Sequence, residues 1–181
     1  MSIATAENGW INTADGQAPE VIARARQILE STIYASLSTS SPDGLPWASP
    51  VFFTYDSACN LYWASTMVAQ HSQNLYANQG RAAIAIYSTH HDEGKGQGIY
   101  LSGTAAEVGA EDVERVIPLL LKRAANSQQR SPADYLFTSP RRLYRFQPQA
   151  IWVTGERIAL SETVLVDTKI QLDLASLIYG L

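Results

Sequence analysis

Between Thr32 and Asp56 the sequence reads TIYASLSTSSPDGLPWASPVFFTYD, and no other stretch of the chain restricts its fold more. The first arm alternates apolar with small polar residues, the period of a strand that buries one face. Pro42, Asp43 and Gly44 then supply a turn, and the second arm is aromatic and β-rich. Together they predict a β-hairpin, and with it an antiparallel sheet. Pro50 in the second arm cannot donate to a ladder, so it marks an edge, a bulge or a strand start.

The rest of the chain extends this pattern. LYWAS, RAAIAIYS, IYLSGTAAEV, RRLYRFQP, AIWVTGER and IALSETVLVD read as further strands, the fourth and fifth as a hairpin around Pro148 and RAAIAIYS as a buried strand. Gly103 inside its strand predicts a bulge or a close backbone approach. Helices interrupt at few places. PEVIARARQILEST has Pro19 at the first helical position and Val21, Ile22, Ala25, Ile28 and Leu29 at helical spacing. Met67–Gln79 is a second helix closed by Gly80, and GAEDVERVIPLLLKRAAN a third, with Pro118 predicting a kink or a start nearer Val116. A short helix is expected in LDLASLIYGL. Strands do not alternate regularly with crossover helices, so an antiparallel barrel with peripheral helices fits better than a doubly wound sheet.

Length supports one domain over residues 19–181, preceded by a small, polar arm over residues 1–18 that is read as loosely held. A net charge of −4 gives no general attraction to nucleic acid or an anionic membrane surface, so neither is an expected partner. No run reaches the roughly 18 apolar residues of a membrane span, and no signal peptide is recognisable. Cys59 is the only cysteine, which excludes an intrachain disulfide and suits a reducing compartment, so a cytoplasmic location is expected.

Few residues carry chemistry. At the junction of LYWAST with the second helix, the hydroxyls of Ser65 and Thr66 meet the first-turn amides of a helix, a point that attracts phosphate. His71 adds a group that is positive when protonated, and Gln70 and Asn74 add neutral hydrogen-bonding groups. The same residues also read as a helix capped by Thr66 with its amides in water, and the local sequence leaves both readings open. His90, His91, Asp92 and Glu93 sit on a glycine-rich loop without the spacing of a metal site, so no metal is expected. GKGQG matches neither a dinucleotide nor a phosphate-loop pattern, and Ser36, Ser38 and Ser102 lack a nucleophile elbow. Arg141 and Arg145 share a strand face with Leu143, as an anion site or as solvated charge.

The succession of a helix, YASLSTSSPDGLPWASPVFFTYD, LYWAST, HSQNLYAN, AAIAIY, IYLSGTAAEV and RFQPQAIWV resembles the FMN-binding split-barrel family related to pyridoxamine 5'-phosphate oxidase, across Ala35 to Val153. The resemblance implies a mostly β (α+β) fold, an antiparallel split barrel of six or seven strands with peripheral helices. It implies a homodimer with FMN in clefts at the interface and a small-molecule redox substrate. On this reading Ser65 and Thr66 meet the flavin phosphate beside Gln70, His71 and Asn74. Ala48, Ser49, Pro50, Val51 and Phe53 run beside the isoalloxazine ring, Gln97 reaches toward the flavin, and Trp152 stands near the ring from the other chain.

The departures bear on the reaction. The oxidase proper brackets its first flavin strand with an arginine and a lysine, where this chain has ASPVFF; it enters the helix on an Arg-Lys pair, where this chain has Gln70 and His71. The oxidase's arginines flanking a histidine after the tryptophan have no counterpart in WVTGERIALSETVLVD, leaving only Arg157. Pyridoxamine 5'-phosphate is therefore not the expected substrate. The expected function is that of an FMN-binding, oxidoreductase-like protein with no assigned catalytic side chain. The alternatives are a haem-binding or haem-degrading relative ligated by His71, His90 or His91, a protein holding a deazaflavin in place of FMN, and a cofactor-free dimeric binding module.

Overall fold

A computed structural model of the chain describes residues 3–125 and 129–178. Its elements run β1 (Ile11–Asn12), α1 (Pro19–Ser31), β2 (Tyr34–Ser40), β3 (Pro46–Phe52), β4 (Thr54–Tyr55), β5 (Leu61–Thr66), α2 (Gln70–Ala77), β6 (Arg81–Tyr87), β7 (Gly98–Glu107), α3 (Ala110–Arg123), β8 (Arg141–Thr154), β9 (Ile158–Ala159), β10 (Leu165–Val166), β11 (Lys169–Leu172) and α4 (Leu174–Ile178). Sheet dominates, and every pairing with an assigned register is antiparallel except β1 with β11. The chain forms two compact units. One holds Ile33–Ala85 and Ser102–Gln149, the other Met1–Thr32, Ile86–Leu101 and Ala150–Leu181.

The first of these units is built on the predicted hairpin. β2 pairs with β3 from Tyr34↔Phe52 to Ser40↔Pro46, and its other edge pairs with β6. The turn closes through Ser41, whose carbonyl accepts from Gly44 N–H at 2.9 Å; Gly44 takes a φ of +88°, which glycine adopts without strain. β3 ends the sheet order on its side, so Pro50 stands on an edge strand, where a missing N–H costs least. β6 buries only Ile84 and Ile86 and leaves Ala83 and Tyr87 exposed, so it covers one face rather than two as the alanine-isoleucine run predicted. Gly103 is a close backbone approach: a Cβ there would lie 2.1 Å from the Gln147 carbonyl oxygen.

α3 runs unbroken through Pro118. The proline removes one backbone bond, but Val113, Val116, Ile117 and Leu120 form a stripe buried against Tyr62, Val108, Tyr135 and Leu143. Four buried side chains contribute about 6–12 kcal/mol before entropy is counted, more than the roughly 3 kcal/mol cost of an internal proline. Acidic Glu111 and Asp112 open this helix and Lys122 and Arg123 close it, as the macrodipole favours. On β5, Trp63 stacks on Tyr144 of β8 with centroids 5.6 Å apart.

β8 is one strand, not the hairpin expected at Pro148. Arg141–Phe146 pairs with β5 and Ile151–Thr154 with β11, so Pro148 falls between the two paired stretches, where those ladders need no N–H.

In the other unit α1 starts at Pro19 and buries the five predicted apolar positions. Arg26 donates to the carbonyls of Ser176 and Leu177, tying α1 to α4. The stretch read from composition as a loose arm carries a 3-10 turn, Ala6–Asn8, and β1, and Trp10 O accepts from Lys169 N–H at 3.0 Å. IALSETVLVD, expected as one strand, is the short antiparallel pair β9 and β10. Met1, Ser2, Asn126 at the end of the predicted third helix, and the Tyr179–Leu181 end of the predicted last helix lie outside the described residues.

Candidate functional site

β5 delivers Ser65 and Thr66 toward α2, but not straight into it. Met67–Ala69 form a turn in which Ala69 N–H bonds Thr66 O, and the helix begins at Gln70 with Ala69 as N-cap and no side-chain cap bond. The cap reading for Thr66 is thereby corrected, as are the boundaries Met67–Gln79: the helix ends at Ala77, and Gly80 follows at a φ of +72°. Thr66 instead holds the turn through its carbonyl, which accepts from Ser72 Oγ at 2.8 Å. The first-turn amides of a helix have no intrahelical acceptor, so this end carries donors and partial positive charge.

His71, one residue into α2, is the centre of the cluster. Its ring is 8% exposed, its Nε2 lies 2.8 Å from Ser65 Oγ and its Nδ1 lies 3.0 Å from Ser49 Oγ. The imidazole thus bridges a hydroxyl at the end of β5 and one on β3. Burial pushes its pKa below the ordinary 6.5, so the neutral ring dominates at pH 7. A neutral imidazole accepts at one nitrogen and donates at the other, so one serine donates into the ring and the other receives from it. The receiving serine keeps its own proton for something else. On protonation both serines would receive, and both hydroxyl protons would be released.

The remaining predicted residues divide. Asn74 is 3% exposed, donates to Thr39 Oγ1 at 3.0 Å and accepts from exposed Gln70 at 2.9 Å, so Asn74 braces α2 against β2 and Gln70 orients the Asn74 amide. Ala48 and Pro50 lie exposed on β3, Val51 is buried inward, and Phe53 is wholly enclosed just past the strand. Trp47 Nε1 donates to Ser49 Oγ at 2.9 Å, which extends the cluster by an indole. The i, i+2 spacing of Trp47 and Ser49 puts them on one face of the strand, and that alternation was the only sequence signal for the contact.

Permanent positive charge is close but committed. Arg142 sits opposite Ser65 in the β5–β8 register, yet its Nε lies 3.4 Å from Glu107 Oε2 and its Nη atoms donate to the carbonyls of Ser139, Arg141 and Phe137. Arg141 pairs with Thr66 and shares that residue's strand face, opposite to the one Ser65 presents.

Gln97 and Trp152 belong to the other unit. Gly98 is clamped to β8 through Thr154, whose Oγ1 accepts from Gly98 N–H at 2.9 Å, and Thr154 shares a strand face with Trp152. Gln97 Oε1 and Trp152 Nε1 are buried and have no hydrogen-bond partner. Buried polar atoms are seldom left so, and an open acceptor or an open donor of this kind is a group that a ligand would satisfy. Hydroxyl donors and helix-terminal amides at the Ser65–His71 junction suit a phosphate group. His90 and His91 are exposed. Among the described residues no group of three or more His, Cys, Asp or Glu side chains converges as a metal site, and no helix is long and apolar enough to cross a membrane.

The pyridoxamine 5'-phosphate oxidase family matches this chain over residues 21–155. No curated protein sequence matches it. Similar solved structures include a protein of unknown function from Agrobacterium tumefaciens, at 21% identity and a TM-score of 0.65, covering 80% of this chain and 60% of that one. A heme binding protein from Mycobacterium smegmatis is similar at 21% identity and a TM-score of 0.64, covering 89% of this chain and 61% of that one. An F420 reductase is similar at 21% identity and a TM-score of 0.54, covering 70% and 94%. The chain spans about three fifths of the length of the first two. At this identity the likenesses show a shared fold, the mostly-sheet α+β split barrel that the resemblance implies.

Proposed function

Since this chain belongs to the pyridoxamine 5'-phosphate oxidase family, we propose that it binds FMN, with the phosphate at the mouth of α2, and works as a flavin-dependent oxidoreductase on a small-molecule substrate. The observation that carries the reading is the Ser49–His71–Ser65 cluster, in which a buried imidazole holds two hydroxyls beside helix-terminal amides. One or both serine protons, with the α2 amides, donate to phosphate oxygens, while Asn74 and Thr39 keep α2 seated on β2. The family resemblance assigns Gln97 and the partner subunit's Trp152 to the ring, and the buried Gln97 Oε1 and Trp152 Nε1 each lack a hydrogen-bond partner. When bound, the flavin supplies the two-electron chemistry, and the chain binds it, orients it and limits its contact with water.

The same reading includes a homodimer. Ala48 and Pro50 of β3, Ser36 and Ser38 of β2, and Ala83 and Ala85 of β6 share one sheet face by register, with no charged side chain among them and exposed Tyr34 at its edge. A second copy would cover this face and the open edge of β3, which otherwise invites indiscriminate pairing. The substrate differs from that of the oxidase proper, because the arginines that follow the tryptophan there are absent.

A haem reading finds less support in the site. Both nitrogens of His71 are hydrogen-bonded and the ring is enclosed, which leaves exposed His90 and His91 as axial ligands. The absorption spectrum of the purified protein, followed by titration with FMN, F420 and haemin, separates the cases. Flavin bands and saturation by FMN are expected. A colourless protein whose melting temperature no cofactor raises would refute the proposal, and a Soret band lost on replacing His90 or His91 would establish the haem reading instead.

A further inference from the structure

At the end of α2 remote from His71 lies an open-mouthed cavity of about 560 Å³, lined by Leu75, Tyr76 and Gly80 on one side and Ala105, Ala106 and Glu107 on the other. That volume lies in the range of small-molecule sites. Gln79, Thr104 and Gln147 contribute neutral polar groups, and the charged and phenolic groups form a single line. Tyr76 Oη donates to Glu107 Oε1 and lies 2.6 Å from Tyr144 Oη, while Arg142 Nε lies 3.4 Å from Glu107 Oε2.

The direction of the protons follows from valence. The Glu107 carboxylate only accepts, so Tyr76 spends its one O–H on Glu107, and Tyr144 must then donate to Tyr76. Burial, followed by the bonds to Glu107 and Tyr144, pushes the Tyr76 phenol well above its ordinary pKa of 10, so its proton stays in place. Tyr144 is fully enclosed behind the line, whereas Tyr76 is 47% exposed. Around Glu107 the accessible wall therefore presents lone pairs, and neither phenol has an O–H to spare. Arg142 does not reverse this, because its N–H groups are already directed at Glu107 and at the carbonyls of Ser139, Arg141 and Phe137. The C-terminal end of α2 adds the negative pole of a helix on the same side, and the Tyr76 ring adds a π face.

We infer that this cavity is a second ligand site, for a small organic cation: a primary ammonium that donates to Glu107 and Tyr76, on an apolar body that packs against Leu75, Ala105 and Ala106. The site lies wholly within the unit that carries the His71 cluster, and no residue lining it belongs to that cluster.

The test uses the full-length protein saturated with FMN and, separately, without it, and follows by calorimetry the binding of benzylammonium, its neutral isostere benzyl alcohol, and benzoate. Benzylammonium is expected to bind one per chain, at least tenfold more tightly than benzyl alcohol, with no binding of benzoate and no change on adding FMN. Glu107→Gln should weaken it at least tenfold, the scale of a charge-assisted hydrogen bond. Ala106→Phe fills the cavity from an exposed strand position and leaves the polar line alone, so it should abolish binding while the melting temperature holds. Failure of benzylammonium to bind at millimolar concentration, equal binding of benzyl alcohol, or indifference to both substitutions would overturn the inference. Loss of FMN binding with benzylammonium binding intact would count against the flavin proposal only.

Discussion

Changing His71 to glutamine separates the structural from the functional work of the buried ring. The imidazole joins hydroxyls at 2.8 and 3.0 Å while 8% exposed. Glutamine cannot bridge both, and each lost bond costs about 0.5–1.5 kcal/mol, so the loss of one or both should cost the protein without cofactor about 0.5–3 kcal/mol in urea unfolding. The informative effect is on protons. A phosphate dianion at the two serines favours the imidazolium, which frees both hydroxyl protons, so it raises the pKa that burial lowers. FMN binding then takes up protons, and affinity strengthens as the pH falls, by at most about tenfold per pH unit for one proton per ligand. The window is pH 8 to 6.5, above the second phosphate pKa of about 6. Flavin fluorescence titrations at half-unit steps give the slope, and calorimetry in two buffers of different protonation enthalpy counts the protons. The wild type should strengthen toward pH 6.5 with net proton uptake, and the glutamine variant should be flat. Parallel profiles with no uptake in either protein would refute the reasoning.

Three further outcomes follow from the same geometry. Without cofactor, His71 has a lowered pKa in the fold and an ordinary one, 6.5, when unfolded, so the unfolded chain gains a proton first as the pH falls. Its contribution is thus present above pH 6.5 and lost as the pH drops through the lowered folded value; thermal melts should show that fall, and it should shrink in His71→Gln. Gly103→Ala puts a Cβ 2.1 Å from the Gln147 carbonyl oxygen and should cost about 3 kcal/mol or more, whereas Gly44→Ala, with nothing within 4 Å but a φ of +88°, should cost about 1–2 kcal/mol in the same urea assay. Burial, reinforced by Asp56, pushes the Cys59 thiol up to about 12, so a disulfide reagent at pH 8 should react at the rate of unfolding, and fast labelling of the native protein would contradict that burial.

The sequence revealed what rests on local periodicity and missed what rests on long-range register. α1 begins at Pro19 and buries the five positions its spacing marked, and the turn at Asp43–Gly44 is where the hairpin needed it. Pro118 and Pro148 misled for one reason: a proline's cost is fixed locally, but its consequence depends on what surrounds it. An apolar stripe carries α3 past Pro118, and Pro148 falls between two ladders of β8. The strand-to-helix junction at Ser65 was legible because hydroxyls beside a helix start are contiguous in sequence. That Ser49, 22 residues from His71, would be its second partner was not, because only the β3 register and the seat of α2 bring them together. Gln97 stood out by resemblance alone, because nothing in the local sequence marks its carbonyl as a buried atom without a hydrogen-bond partner.

The central claim is that a phosphate is what the His71 cluster holds. It is tested most directly by titrating the protein with FMN and with riboflavin, which share a ring and differ in that group, at pH 7. Two or more charge-assisted hydrogen bonds predict FMN binding at least a hundredfold tighter than riboflavin, with most of the difference lost in the double variant Ser49→Ala, Ser65→Ala. Equal affinity for the two flavins, or a preference for FMN that survives the double variant, would contradict it.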